Sequence, residues 1–92
     1  MEKELVVVTV TGLDRTGIVA SISNILAENE VNIEDISQTI LGKYFAMIML
    51  VDITRSKVSL EKLQQHLVSR GAEMSLEVKV QHENVFKAMH RV

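Results

Sequence analysis

The stretch from Val8 to Val19 reads Val-Thr-Val-Thr-Gly-Leu-Asp-Arg-Thr-Gly-Ile-Val. An apolar, β-branched run from Leu5 to Val10 leads into its polar centre, and apolar residues at helical spacing follow it. This order predicts a strand, a tight polar loop and the start of a helix. Such a loop presents backbone N–H groups at a helix N-terminus, which is a favourable site for a carboxylate or a phosphate. No other segment of the sequence resembles a chemical site.

The polar residues of this loop also have a purely structural interpretation. We expect the side-chain oxygen of Asp14 or Thr16 to cap the helix. Arg15 is more typical of a solvated loop charge than of a ligand contact. The glycines at positions 12 and 17 also fit a tight turn with close helix–strand packing. Because the spacing differs from that of a nucleotide phosphate loop and the Gly-Lys-Ser/Thr ending is absent, we reject nucleotide binding.

Helical and strand periodicities alternate along the next part of the chain. The first helix has an apolar stripe made of Ile18, Val19, Ile22, Ile25 and Leu26. Residues 31–41 predict a second strand, whose alternation slips at Glu34-Asp35 as a β-bulge would cause. Gly42-Lys43 predicts a hairpin turn with a positive φ at Gly42. Residues 44–53 predict a third strand that is apolar on both faces.

A second helix and a fourth strand complete the pattern. We expect Ser59 to cap this helix and Gly71 to end it, and its apolar stripe consists of Leu60, Leu63, Leu67 and Val68. Residues 74–81 then alternate between apolar and polar, which is typical of an edge strand with one wet face. The order βαββαβ predicts an α+β, ferredoxin-like sandwich. Its antiparallel sheet has strand order 4-1-3-2, with both helices on one face.

The other face of this sheet has no helix to cover it. It carries half of the first strand and one of two sets from the third, either Phe45, Met47, Met49, Val51 and Ile53 or Ala46, Ile48 and Leu50. Because a large exposed apolar patch is unfavourable in water, we expect a two-fold homodimer to cover it. The alternative cover is the tail, residues 82–92. It predicts a short amphipathic helix capped by Asn84, with apolar residues Val85, Phe86, Met89 and Val92.

Composition excludes several classes of protein. The 92 residues suit a single domain, and the net charge of −2 gives no basic excess for nucleic-acid binding. The absence of Cys excludes disulfides and thiolate metal sites and favours a cytoplasmic location. The charged N-terminus predicts neither a signal peptide nor a membrane anchor. The three histidines lie on different elements and no nucleophile motif is present, so we expect no metal, no cofactor and no catalysis.

Two segments together resemble the ACT domain family, Gly-Leu-Asp-Arg-Thr-Gly-Ile-Val at 12–19 and Val-Asn-Ile-Glu-Asp-Ile-Ser-Gln at 31–38. The βαββαβ order resembles that family over residues 5–81, and the whole chain is similar to the small free-standing ACT proteins called UPF0237. The resemblance implies an ACT domain over residues 1–81, followed by the separate tail 82–92. We expect no attached enzyme or DNA-binding domain, which would depart from the family's usual arrangement.

The resemblance also implies a site for a small ligand, with an amino acid as the expected class, between two copies of the chain. Carried onto this sequence, the first wall consists of Gly12, Leu13, Asp14, Arg15, Thr16, Gly17 and Ile18, and the second of Asn32, Ile33, Asp35 and Ile36. The amides from Thr16 to Ile18 would hold a carboxylate, and Asp14 or Asp35 an ammonium group. We therefore expect a regulatory homodimer that senses an amino acid. The alternative is a ligand-free subunit that docks on an unknown enzyme or regulator.

Overall fold

The structure is a computed structural model, and it describes residues 2–85. The elements are β1 (Leu5–Leu13), α1 (Ile18–Glu28), β2 (Asn32–Leu41), β3 (Tyr44–Asp52), α2 (Leu60–Glu73) and β4 (Leu76–His82). All three strand pairs are antiparallel and the sheet order is β2-β3-β1-β4. This is the predicted ferredoxin-like order, so the fold prediction is confirmed.

The core lies between one face of the sheet and the two helices. Alternate residues of the central strands face the helices, and the apolar stripe of each helix packs down on them. The buried set includes Val6, Val8 and Val10 of β1, Phe45, Met47, Met49 and Val51 of β3, Ile18, Ile22 and Leu26 of α1, and Leu63 and Leu67 of α2. Full burial of such a side chain contributes roughly 1.5–3 kcal/mol. The predicted helix stripes are therefore confirmed at their centres.

The opposite face of the sheet, here called the open face, carries no helix. Of the two sets allowed by the sequence, it holds Ala46, Ile48 and Leu50, because Phe45 and its set lie in the core. Val7 and Thr9 of β1 lie beside them and are half-buried. Only Ile48 of these side chains is substantially exposed, at 47%. Leu13, Leu41 and Tyr44 lie on the same face and are each more than half exposed. The exposed apolar patch of the open face is therefore concentrated at the end of the sheet next to the β2–β3 turn.

The hairpin of β2 and β3 has the two predicted irregularities. The register of the pair shifts between Ile33 and Asp35, which confirms the bulge, and Gly42 turns with φ 63°. Beyond the bulge, Ile36 pairs with Met49 and Ile40 with Phe45. These two isoleucines therefore lie on the helix side of the sheet, yet they remain exposed because the helices do not reach them.

Two predictions about helix ends are wrong. Neither Asp14 nor Thr16 caps α1, because the N-cap is Gly17 at φ 90° and no side chain makes a capping hydrogen bond. Gly71 does not end α2, which runs to Glu73. The helix needs glycine there for another reason, since a Cβ at this position would lie 2.4 Å from Val78 Cγ2. The positive φ that follows the helix belongs to Ser75 instead.

Other predicted ends agree with the structure or need small changes. Ser59 caps α2, because its Oγ accepts a hydrogen bond from the Lys62 N–H at 3.2 Å. Residues 83–85 are helical directly after β4. Asn84 is therefore inside this turn and not its cap, and its N–H donates to His82 Nδ1 at 3.2 Å. The remaining apolar residues of the predicted tail helix, Phe86, Met89 and Val92, lie outside the described residues.

Candidate functional site

The first predicted wall lies at the end of β1. Gly12 and Leu13 are the last residues of the strand, which is longer than predicted, and residues 14–17 form an exposed loop. The Asp14 N–H donates to the Lys43 carbonyl oxygen at 2.8 Å. This bond ties the loop to the β2–β3 turn. Leu13 is 55% exposed, so it presents an apolar side chain beside the loop.

The start of α1 has donors that the protein's own side chains do not satisfy. The first N–H groups of a helix have no partner within it. Here no side chain caps them and the first turn contains no acidic residue. The helix dipole adds a partial positive charge at this end, which favours an anion. Ile18 is only 2% exposed and its side chain belongs to the core, so this residue can meet a ligand only through its backbone.

The second predicted wall follows the first half of β2. Asn32 and Asp35 are exposed, Ile33 is half-buried, and Ile36 is 40% exposed. The Asp35 carboxylate accepts a hydrogen bond from the Ile36 N–H at 2.9 Å. The side chain is thereby held against its own strand at the bulge. The second wall thus presents the hydrogen-bond acceptors of Asn32 and Asp35 next to the apolar side chains of Ile33 and Ile36.

Sequence reasoning missed a polar chain that holds Asn32. The Lys3 ammonium pairs with Glu34 Oε1, and the Asn32 amide nitrogen donates to Glu34 Oε2 at 2.6 Å. The hydrogen bond from Lys3 is the main reason that the pKa of Glu34 lies below its usual value, and the same bond raises the pKa of Lys3. Because Lys3 and Glu34 are 31 residues apart in sequence, only the topology brings them together.

Arg55 is a second residue that the sequence did not single out. It lines a hollow of about 300 Å³ together with Ala27, Glu30, Val31 and Asn32. A backbone bond from the Lys57 N–H to the Asn29 carbonyl oxygen, 3.0 Å long, holds its turn against the end of α1. Arg55 forms no ion pair with any residue between 2 and 85. Within the described part of the chain, the Arg55 guanidinium next to the second wall is therefore without an ion-pair partner.

The two walls lie at opposite ends of the sheet within one chain. Asn32 pairs with Asp52, whereas Leu13 pairs with Tyr44 at the other end of β3. The eight residue steps from Tyr44 to Asp52 span about 27 Å at ~3.4 Å per residue. A single copy consequently does not bring the predicted residues together, and a site that uses both walls needs a second copy.

Other features of the described residues do not point to a different site. A hollow of about 390 Å³ lies between α1 and α2, lined by residues that include Glu28, His66 and Arg70, but it touches neither wall. Within residues 2–85, no three His, Cys, Asp or Glu side chains are grouped closely enough to hold a metal ion. No helix in that part of the chain is both long and apolar enough to cross a bilayer.

Known proteins resemble this chain over nearly its full length. The ACT domain family model matches residues 4–81. A UPF0237 protein from Methanocaldococcus jannaschii is 59% identical over 87 residues, covering 95% of this chain and 97% of the relative. A UPF0237 protein from Methanopyrus kandleri is 58% identical, covering 94% and 96%. An ACT domain protein from Streptococcus pneumoniae superposes with a TM-score of 0.80 at 34% identity, covering 97% of this chain and all of that one. The chain therefore belongs to the ACT domain family and, within it, to the UPF0237 proteins.

Proposed function

We propose that this protein is a cytoplasmic regulatory ACT domain that binds a small amino-acid-like ligand at the interface of a homodimer. The observation that carries the proposal is the start of α1, where an exposed loop meets backbone donors that no side chain caps. ACT domains commonly bind small ligands and oligomerise. Residues 1–81 would carry the binding role, and residues 82–92 would form a separate tail.

The first wall suits a carboxylate. The amides from Thr16 to Ile18 offer hydrogen-bond donors at the positive end of a helix dipole, an arrangement that anions favour. The carboxylates of Asp14 and Asp35 are exposed and suit an ammonium group. Leu13 and Ile33 would flank a small side chain. An apolar site with a few converging polar groups is the usual form of a small-ligand pocket.

The separation of the walls supports a site between subunits. Each copy carries its two walls toward opposite ends of its sheet, and their outermost residues, Leu13 and Asn32, are about 27 Å apart along the strands at ~3.4 Å per residue. A two-fold dimer therefore forms two equivalent sites, each with the first wall of one copy and the second wall of the other. We propose no catalytic role and no metal or cofactor, since the described polar residues suit recognition of charged groups.

A thermal-shift screen against the proteinogenic amino acids at millimolar concentration tests this function. Ligand at about 100 times its Kd should stabilise the protein by ~2.7 kcal/mol. Asp14→Ala is a suitable variant, because Asp14 caps no helix and its loss should leave the stability of the free protein within about 0.5 kcal/mol. We expect one or a few amino acids to raise the Tm of the native protein and not of the variant. A flat screen with a well-folded dimer would overturn the proposal.

A second function is a ligand-free docking subunit, which would bind an unidentified enzyme or regulator. It is favoured by the exposed apolar side chain of Val85, at the start of the tail. Deletion of residues 84–92 tests it by pull-down from lysate. Loss of a specific partner in the truncated protein supports docking, and identical recovery from both forms of the protein counts against it.

A further inference from the structure

We infer that His82 is a pH-sensitive joint between the sheet and the tail that follows it. Its neutral imidazole caps the helical turn at residues 83–85. Protonation of the ring releases this cap and strengthens the contact of His82 with Glu4, the residue before β1. The inference goes beyond the proposed function, because it concerns how the tail is attached and requires no ligand.

His82 stands where the sheet ends and the turn begins. It is the last residue of β4 and pairs with Val6 of β1, and residues 83–85 continue directly from it as a helical turn. The side chain of an N-cap residue accepts a hydrogen bond from the backbone N–H two or three positions further on. The Asn84 N–H donates to His82 Nδ1 at 3.2 Å. The imidazole therefore has the role that Ser, Asn or Asp usually has at a helix start.

This hydrogen bond requires one form of the ring. The Nδ1 atom of an imidazole accepts a hydrogen bond only when the ring is neutral and its proton is on Nε2. In the structure, Nε2 lies 3.9 Å from Glu4 Oε2. That separation is beyond hydrogen-bond range but suits an ion pair once the ring is charged. One ring nitrogen is thus bonded to the turn and the other lies near a carboxylate.

Protonation changes these two contacts in opposite directions. A charged imidazole has N–H donors at both nitrogens and no acceptor, so it cannot receive the Asn84 N–H. Its positive charge also lies close to the partial positive charge of the first N–H groups of the turn. The charged ring gains an attraction to the Glu4 carboxylate at the same time. Protonation therefore exchanges the cap for the contact with Glu4.

The surroundings of the ring allow this exchange near neutral pH. The His82 side chain is 30% exposed, so solvent reaches it. Besides Glu4, the next charged group is Glu83, which follows His82 in the chain and is half-buried. Among residues 2–85, no charged side chain of α2 and no Lys or Arg forms an ion pair with His82. Histidine is the side chain that ordinarily changes charge between about pH 5 and 8.

The turn that His82 caps carries an exposed apolar residue. The Val85 side chain is 43% exposed, and the cap holds it in place relative to the sheet. A turn this short is marginal on its own, so loss of the cap frees the start of the tail. Neither predicted wall of the ligand site contains His82. The joint therefore changes the tail and leaves the proposed amino-acid site as it is.

Nuclear magnetic resonance of the isotope-labelled 92-residue chain tests the inference. At about pH 8, the ring-nitrogen shifts of His82 should show the proton on Nε2. Between about pH 8 and pH 5, solvent exchange of the Asn84 N–H should rise about fivefold after correction for the intrinsic rate, as loss of one cap requires. The helical Cα shifts of residues 83–85 should decrease in parallel. A proton on Nδ1 at the higher pH, or Asn84 exchange that does not change, would overturn the inference.

Variants of the histidines assign the transition. His82→Asn keeps an acceptor at the N-cap without a titratable group, so Asn84 exchange should stay slow over the whole range. His82→Ala removes the acceptor, so exchange should be fast at every pH. A transition that persists in His82→Asn would refute the role of His82. Its loss in His66→Gln or His90→Gln, which remove the other two histidines, would do the same.

Glu4→Gln tests the second contact of the ring. This variant removes the carboxylate but keeps the backbone N–H, which donates to Thr54 Oγ1 at 3.0 Å. Because the charged ring loses a favourable partner, the Asn84 transition should move to lower pH. The shift should be a fraction of a pH unit, since the pair is exposed. A transition at the same or a higher pH would refute the contact between the charged ring and Glu4.

Discussion

The two edge strands of the sheet, β2 and β4, use their apolar residues differently. Leu76, Val78 and Val80 of β4 are all buried beneath α2. β2 is longer and carries Ile36, Ile40 and Leu41, yet no residue of the strand is fully buried. The fold of one copy therefore requires the apolar residues of β4, whereas on β2 only Ile33 packs against the core and Ile36, Ile40 and Leu41 stay exposed. Apolar side chains that a domain does not need for its own core are available for assembly.

The largest expected effect is on the free energy of unfolding, when one large apolar residue is replaced on each edge strand. Leu76→Ala should lower the free energy of unfolding by about 2–5 kcal/mol, because it leaves a cavity in the core. Ile40→Ala should change it by less than about 0.5 kcal/mol in dilute protein, because Ile40 is exposed. Urea unfolding at low and high protein concentration measures both. Equal losses of stability in the two variants would refute the distinction.

The next effect concerns how closely β4 approaches α2. Gly71→Ala places a Cβ 2.4 Å from Val78 Cγ2 and 3.3 Å from the Leu76 carbonyl oxygen. Overpacking of this kind costs roughly 1–3 kcal/mol, against a gain in helix propensity of about 1 kcal/mol. We expect a net loss of stability in urea unfolding. Ser69→Ala, at an exposed position of the same helix, is the control.

A second substitution makes this prediction specific to the contact. Val78→Ala removes the methyl group that a Cβ at position 71 would strike. The double variant should therefore lose less stability than the sum of the two single variants, because neighbouring sites in contact are not additive. Strict additivity would show that the cost of Gly71→Ala arises within the helix and not from the packing of β4.

The sequence predicted the elements that depend on local periodicity. The strand order, the core stripes, the bulge at Glu34-Asp35 and the turn at Gly42 all follow from residues close together in the chain. The predictions that failed depend on contacts made from a distance. The residues around Gly71 predict a helix end. Glycine is needed there because a Cβ would clash with Val78 of β4. The sequence around Asp14 predicts a helix cap. In the structure the Asp14 N–H donates to the Lys43 carbonyl oxygen, and Gly17 is the N-cap residue.

The candidate site divides in the same way. The residues of its first wall were recognisable because they are contiguous, and the structure leaves their donors uncapped as a ligand would require. Lys3, Glu34 and Arg55 could not be recognised from the sequence as neighbours of the site, since the contacts that place them there come from other elements. The placement of the two walls at opposite ends of the sheet follows only from the register of β2 and β1 on β3. Because of this register, the proposed site, which uses both walls, needs a second copy.

The smallest expected effect compares the charges on the two edges. Lys3 and Asn32 donate hydrogen bonds to Glu34 on β2, and these hold its pKa below the usual value of 4.5. A carboxyl whose folded pKa is lowered stabilises the protein above its unfolded pKa, and this contribution is lost as the pH falls through the folded value. Glu34→Gln should therefore flatten the decline in Tm below about pH 4.5, the usual range of a glutamate. Because this pair is exposed, the change should be small and should shrink further in high salt.

Glu77 of β4 provides the matched control, because it is exposed and forms no ion pair with any residue of the described range 2–85. Glu77→Gln should leave the decline in Tm at acid pH unchanged. A comparison of the two variants therefore isolates the effect of the hydrogen bonds from Lys3 and Asn32 to Glu34. If both variants flatten the curve equally, the effect comes from net charge and not from the polar chain at the second wall. If only Glu34→Gln does so, the start of β2 is held by a defined charge pair. The uncharged part of that strand then begins at Ile36.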